Sequence, residues 1–335
     1  MKELVFKLCS STGVSGSEEK VAQIAADELS KYADVKIDKN NNVIASFGNM
    51  DSQKHIMLDA HIDQIGLVVT YITEDGFLKV APCGGVDSRV LPGSVLKIHG
   101  KKDILGIVTS MPPHLSDDNN SVQEISDLYV DTGITNGKIN EMVQVGDVLS
   151  YYLEPKELLN NRVSCCSLDN RASMVSLIRC AQILSQEKLY CRVSIVLSSQ
   201  EETNAKGAKT AAYSLDLDEA IMVDVSFADQ PGVSSDKSGT LGKGPMIGIA
   251  PSLSRDISNK LIKLSEDSNL PYQLEVMGGK TGTNADKVSI SREGILSGLV
   301  SIPQRYMHTP CEIVDLNDIE NTARLLALYV QNGGL

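Results

Sequence analysis

Hydrophobic positions along the chain fall into two textures. From residue 16 to 32 they recur at helical spacing: Val21, Ile24, Ala25 and Leu29 form one stripe. Ser17 reads as the N-cap, with Glu18 and Glu19 in the first turn. Residues 35–37 and 42–47 then read as short strands around the turn Asn40-Asn41-Asn42. Residues 56–60 form a short apolar run interrupted only by Asp59, the pattern of a central strand covered on both faces. It ends on His61-Ile62-Asp63.

After Gly66 the texture changes. Runs such as 67–72, 77–80, 95–98, 104–108 and 148–151 are brief and separated by Gly-containing turns, with only weak helical periodicity around 121–128. Many short strands of this kind predict a small β-barrel or sandwich. Strand and helix resume in alternation near residue 162: a helix that Asp169 precedes, running to about residue 186, a strand over 193–197, a helix over 205–213 and a strand over 220–225. A helix over 255–268, a strand over 298–302 and an amphipathic helix over 316–331 follow. The expected fold is α/β, a mixed central sheet flanked by helices, with an inserted small β-barrel. Residues 1–65 and 162–335 would form the helix-flanked part and 66–161 the insert. There is no internal repeat and no low-complexity segment.

Charge and cysteine usage narrow the function. A net charge of −12 over 335 residues disfavours nucleic acid and anionic membrane as partners. No apolar run is long enough to span a bilayer. Lys7 interrupts the N-terminal apolar stretch, so no signal peptide is expected and the expected location is cytoplasmic. Seven dispersed cysteines without a C-x-x-C pair read as reduced thiols, mostly packing residues; Cys165-Cys166 is the one pair that could be reactive. Aromatics make up 4% and Trp is absent, a poor endowment for stacking sugars.

The chemistry-bearing candidates lie where strands end. His61 follows the run 56–60, Glu201-Glu202 follows the strand 193–197, Asp224 lies inside an apolar strand, and His308 follows the strand 298–302. Asp169 stands at a helix start. Each has a bland reading: a satisfied core histidine, a solvated helix start, an N-cap. Asp224 is the hardest to dismiss, because a carboxylate buried in a strand is costly without a partner. In open α/β sheets the carboxyl ends of the strands face one crevice, which brings the candidates together. His99 and His114, inside the insert, read as structural, and residues 116–120 as a polar surface loop. The Gly-rich loop over 278–284 lacks the phosphate-binding spacing and reads as a flexible loop lining a cleft.

Two His, two Asp and one or two Glu make a nitrogen-and-oxygen donor set suited to Zn, Co or Mn. Five ligands exceed the need of one tetrahedral metal; two metals sharing a carboxylate fit better. Such a pair can bind a bridging hydroxide and polarise a carbonyl, leaving one carboxylate as general base.

The motifs 59–63 (Asp-Ala-His-Ile-Asp), 168–171 (Leu-Asp-Asn-Arg), 200–202 (Gln-Glu-Glu), 223–225 (Val-Asp-Val) and 305–310 (Arg-Tyr-Met-His-Thr-Pro) resemble those of the M42 family of metallo-aminopeptidases, also called tetrahedral or TET aminopeptidases. The resemblance covers nearly the whole chain, including 89–93 and 112–115 in the insert. It implies a hydrolase removing N-terminal residues from short peptides. His61 and Asp224 would bind one metal, Glu202 and His308 the other, and Asp169 would bridge them, with Zn or Co as the metals. Glu201 would be the general base and Asp63 would orient His61. It further implies a cis peptide at Asp169-Asn170, an insert that serves dimerisation, and dimers assembling into a tetrahedral dodecamer. Three places depart from the pattern: Cys165-Cys166-Ser167 before Asp169, Asn204-Ala205 where Gly is more usual, and Phe227 where His is frequent. The alternatives are a two-metal deacylase or carboxypeptidase on a related fold and, less favoured, a glycosidase.

Overall fold

The computed structural model describes residues 1–115, 122–134 and 137–335. Helices Lys2–Cys9 (α1) and Glu19–Leu29 (α2) open the chain, followed by strands Asp34–Ile37 (β1), Val43–Gly48 (β2) and His55–His61 (β3). The next six strands are Gly66–Ile72 (β4), Leu78–Cys83 (β5), Val95–His99 (β6), Asp103–Val108 (β7), Val130–Asp131 (β8) and Val148–Tyr151 (β9). They close into an antiparallel barrel in the order β4-β5-β8-β7-β6-β9. Lys156–Leu158 (β10) pairs with Arg162–Cys165 (β11), and β11 with Glu312–Asp315 (β17), in a separate three-stranded antiparallel sheet of order β10-β11-β17.

The remaining elements complete the helix-flanked layer: helices Leu168–Leu184 (α3), Glu201–Asn204 (α4), Lys206–Ser214 (α5), Arg255–Asp267 (α6), Ala285–Val288 (α7) and Leu316–Gln331 (α8), and strands Arg192–Ser198 (β12), Glu219–Phe227 (β13), Met246–Ile249 (β14), Gln273–Val276 (β15) and Leu296–Gln304 (β16). The eight-stranded sheet runs β1-β2-β12-β3-β13-β16-β14-β15, and β12, β3, β13 and β16 are mutually parallel at its centre. The expected mixed α/β sheet with a barrel is the observed architecture.

Every residue of β3 is buried, because helices cover both faces of the sheet. The period of two along a strand divides its side chains between two cores. Ile56, Leu58 and Ala60 join the core under α1, α2, α3 and α8, while Met57 joins Ala208, Ala211 and Ala212 of α5 on the opposite face. A third core fills the barrel with Leu67, Leu78, Leu96, Ile98 and Leu149 among others.

Local differences from expectation have local causes. Helix α2 starts at Glu19, and Ser17 does not cap it. The Ser17 N–H is taken by a turn to the Val14 carbonyl, and the buried Glu18 carboxylate accepts the Gly16 N–H at 2.7 Å. The weak periodicity over 121–128 yields a single 3-10 turn, Ile125–Asp127. The polar loop over 116–120 lies outside the described residues. Among the described residues no helix is long and apolar enough to cross a membrane.

Gly207, at the start of α5, lies against the turn that leads into Glu201. Its N–H donates to the Ser199 carbonyl at 2.9 Å. A Cβ there would sit 2.3 Å from Asn42 Oδ1 and 2.4 Å from both Ser199 N and O. Two of those atoms are backbone and cannot swing away. Gly207→Ala is expected to destabilise the protein by about 1–3 kcal/mol, the usual range for overpacking. A lowered urea midpoint would show it; an unchanged midpoint would mean that the turn relaxes freely.

Candidate metal centre and active-site cleft

The parallel strands β12, β3, β13 and β16 bring their carboxyl ends to one edge. His61 is the last residue of β3 and stands in register with Ser198, the last of β12. Two residues beyond Ser198, Gln200 adopts φ 56° and reverses the chain into α4, which begins with Glu201 and Glu202. Asp224 sits in β13, and His308 follows β16 by four residues, itself at φ 61°. Asp169 enters from α3, whose first turn is not helical: Asp169 and Asn170 have ψ of 102° and 35°, and the peptide between them is cis. Asp169 therefore makes no N-cap bond and projects into the cluster.

These side chains converge. His61 Nε2 lies 3.1 Å from Asp169 Oδ1 and 3.7 Å from Asp224 Oδ1. His308 Nε2 lies 3.3 Å from Asp169 Oδ2 and 3.4 Å from Glu202 Oε1. The two oxygens of Asp169 thus face two different imidazoles. Donor atoms of His61, Asp169 and Glu202 all lie within 4.8 Å of one another. His61, Asp169 and Asp224 are 2%, 6% and 7% exposed, so this side of the cluster is shielded from solvent, while the His308 side chain is 29% exposed toward the cleft.

The donor set fits a cation. Asp169 Oδ1 and Glu202 Oε1 are buried without a hydrogen-bond partner, which is costly for a carboxylate unless something positive meets it. Burial pulls both imidazoles down, but the surrounding carboxylates outweigh it. Asp169, Asp224 and Asp63 hold His61 well above its ordinary range, and Asp169 and Glu202 push His308 up to about 11. Burial opposes ionisation of Asp169, yet His308 and His61 hold its carboxyl well below the ordinary range. Burial and neighbouring acids push Glu202 and Asp224 up. An excess of buried carboxylates over imidazoles is the electrostatic signature of a site built around positive charge.

The Glu pair divides. Glu202 turns to His308, whereas the Glu201 side chain makes no hydrogen bond or ion pair among the described residues. Burial pushes the Glu201 carboxyl up to about 9, with Asp224, Glu202 and Asp63 adding to the rise and His61 opposing it. Asp63 ties β3 to α4: its two oxygens accept the N–H groups of Glu201 at 2.8 Å and Glu202 at 3.1 Å. Its contact with His61 Nδ1 is looser, 3.1 Å from the backbone carbonyl and 3.4 Å from Oδ1.

Several residues at the site were assigned no role from the sequence. Buried Glu312 accepts the backbone N–H groups of Asp169 at 3.1 Å and His308 at 2.9 Å, fixing both chain segments. Its place at the head of the apolar pair Ile313-Val314 is the same signal that marked Asp224. Asn284, at the end of the Gly-rich loop, donates to Asp59 at 2.8 Å and to Ser198 at 3.0 Å. Fully buried Arg171 donates to the Ile62 carbonyl and, at 3.2 Å, to Gln64; burial pulls its guanidinium down to about 10. The barrel also reaches the site, with the Gly85 carbonyl 3.0 Å from His308 Nδ1. A Cβ at Gly85 would meet that ring at 2.9 Å, so a side chain there would crowd it.

The unusual sequence features have plain structural places. Cys165 and Cys166 are buried, and burial pushes the Cys166 thiol up to about 11, which suppresses its nucleophilicity. Ala205 stands between α4 and α5 at φ 55°, a left-handed position that costs a residue with a Cβ about 1–2 kcal/mol and explains why glycine would suit it. Phe227 is 54% exposed and borders the cleft. His99 pairs with Ser150 at 2.9 Å inside the barrel layer, away from the cluster.

A cleft of about 1070 Å³ opens over the cluster. Val225, Ser226, Phe227, Met246 and Leu274 line it, as do the residues of the Gly-rich loop from Lys280 to Thr283.

The sequence matches the family model described as M42 glutamyl aminopeptidase over residues 41–325. A lysyl aminopeptidase of Pyrococcus furiosus is 33% identical across 96% of this chain and 94% of its own. Among solved structures, the aminopeptidase APDkam598 from the archaeon Desulfurococcus kamchatkensis superposes with a TM-score of 0.93 at 33% identity, covering 99% of this chain and 94% of the other. The Pyrococcus horikoshii TET1 peptidase, described as able to assemble into a tetrahedron or a large octahedral shell, superposes with a TM-score of 0.87 at 31% identity over 98% of each chain.

Proposed function

The chain belongs to the M42 glutamyl aminopeptidase family, and from that premise we propose that it removes N-terminal residues from short peptides with two divalent cations held in the His–Asp–Glu cluster. The observation that carries the two-cation reading is Asp169, whose oxygens lie 3.1 and 3.3 Å from two different imidazoles while Oδ1 lacks a hydrogen-bond partner. His61 and Asp224 would hold one cation, Glu202 and His308 the other, and Asp169 would be shared. Zn or Co suits this imidazole and carboxylate set. When bound, such a pair polarises the scissile carbonyl and stabilises its developing oxyanion.

The chain's own residues supply the proton chemistry. Cations in the cluster would draw the Glu201 carboxyl down from its raised value, so Glu201, left free beside them, would take a proton from the attacking water and hand it to the departing amine. Asp63 holds the Glu201 and Glu202 backbones, and Glu312 holds those of Asp169 and His308. The substrate's free amine is anchored beside the metals.

We further take the protein to be a homo-oligomer, in which the barrel serves dimerisation on the way to a tetrahedral dodecamer. Tyr71, Val95, Leu105 and Ile107 on barrel strands leave apolar surface exposed, in keeping with a covered interface.

A two-metal deacylase or carboxypeptidase would use the same ligands, so the substrate must decide. Chelation is expected to abolish release of the N-terminal residue from a short peptide, and added Zn or Co to restore it. The N-acetylated peptide should be cleaved roughly 100-fold more slowly, the loss expected when a charged amine can no longer make its hydrogen bonds. Equal cleavage of both peptides would favour the deacylase reading. For a glycosidase, the cleft offers Phe227 alone among the described residues as a Phe, Tyr or Trp in its lining.

A further inference from the structure

Beside the metal cleft lies a second concavity of about 1040 Å³ whose lining differs in charge from the rest of the molecule. The chain as a whole carries −12. Yet Lys36 of β1, Lys39 of the turn after it, and Lys206 and Lys209 of α5 surround this one space. Among the described residues none of the four lysines pairs with a carboxylate, and all are exposed. The other charges in the lining are already engaged. Arg292 donates to the Tyr213 carbonyl at 2.8 Å and to Asp216 at 2.7 Å. Asp38 accepts the N–H groups of Asn40 and Asn42 and the Asn42 side-chain amide. Four lysines against the single carboxylate of Asp38, with Arg292 balanced by Asp216, leave the lining net positive, a local potential that favours an anion.

Its position selects the anion. Asn204 and Ile290 border both this concavity and the metal cleft, and α4, which carries Glu201 and Glu202, runs through Ala205 directly into Lys206. A peptide whose amine is held beside the metals can leave the cleft only toward its C-terminus. A peptide following the shared border at Asn204 and Ile290 would meet the lysines downstream of the bond to be cut. Resting on the aminopeptidase reading, we propose that the lysine-lined concavity is a subsite for a downstream peptide carboxylate. The C-terminal carboxylate of a short peptide or an acidic side chain at the same position in a longer one would occupy it. Carboxylates held by flexible, solvated lysines gain modest affinity each, and several lysines add a long-range attraction that salt screens.

Tetrapeptide pairs differing only in a free-acid or amidated C-terminus test this on the metal-loaded enzyme. Amidation is expected to raise KM roughly three- to tenfold with kcat little changed, the size expected of a few exposed charge pairs. An acidic residue at the fourth position of the amide should recover KM, which separates a general carboxylate site from one specific for the terminus. Raising the salt concentration should close the gap. The Lys206→Gln/Lys209→Gln double variant should show nearly equal KM for acid and amide, whereas Lys206→Arg/Lys209→Arg should keep the difference. Equal KM values for the two forms in the unaltered enzyme, or a gap that survives both salt and the Gln variant, would overturn the subsite. That failure is distinct from failure of the aminopeptidase reading, because single aminoacyl chromogenic substrates have no downstream residue. Their hydrolysis without an acid–amide difference removes the subsite alone, and no hydrolysis of any substrate removes the reading beneath it.

Discussion

Glu201→Gln is expected to keep its fold and metal content and to lose turnover by about 10²–10⁴-fold, the range for removing a general acid–base group. The expectation rests on how differently two adjacent residues are used. Glu202 turns to His308 and presents a buried oxygen with no hydrogen-bond partner. Glu201 borders the same cleft without a side-chain partner among the described residues. Its backbone N–H is held by Asp63 at 2.8 Å, an interaction that glutamine preserves. Gln has the same shape but cannot accept and return a proton. The effect should therefore appear in kcat, with metal stoichiometry by elemental analysis and the thermal midpoint close to those of the unaltered protein. Near-normal kcat would remove Glu201 from the proton chemistry. A loss of bound metal would instead make it a ligand.

What could be read from the sequence follows from where each residue's partners lie. The strand β3 was legible because helices cover both its faces, leaving an apolar run with no polar alternation. Helix α8 was legible over its full length because one stripe faces the core while Asn317, Glu320 and Arg324 do not. The strands β14 and β15, four residues each near the edge of the sheet, carry too little periodicity to register. In β15, Leu274 and Val276 are apolar yet exposed, the reverse of the usual signal.

The convergence of the candidates was legible because the four parallel central strands send their carboxyl ends to one edge, so local position predicts shared location. Their supports were not. Glu312 and Asp169 are separated by 143 residues in sequence, and Asn284 and Asp59 by 225. No local pattern marks a residue whose partner is that remote. The contact of Gly85 with His308 was hidden for a further reason, since it joins the barrel to the helix-flanked layer. Only the folded chain reveals that the barrel helps to set the orientation of His308.

Asp169→Asn is expected to have the broadest effect of any single change at the site, because among the described residues its carboxylate alone lies against both His61 and His308. His308→Ala removes one ring and should cost one of two metals, leaving the His61–Asp224 half with Asp169 intact. Asp169→Asn keeps the shape but replaces one oxygen by an NH₂ group and removes the charge that two imidazoles share. Whichever way the amide turns, one of the rings that now face an oxygen, at 3.1 or 3.3 Å, would face a donor. Shared ligation should therefore fail, and both metals should bind more weakly. A ligand loss combined with loss of the central charge should lower kcat/KM at least as far as Glu201→Gln does, about 10³-fold or more. Metal concentrations that saturate the unaltered enzyme should not restore it. Elemental analysis after gel filtration separates the outcomes: close to no retained metal for Asp169→Asn against about one per chain for His308→Ala. Two metals retained by Asp169→Asn would show that the halves are held independently, and the shared role of Asp169 would fall.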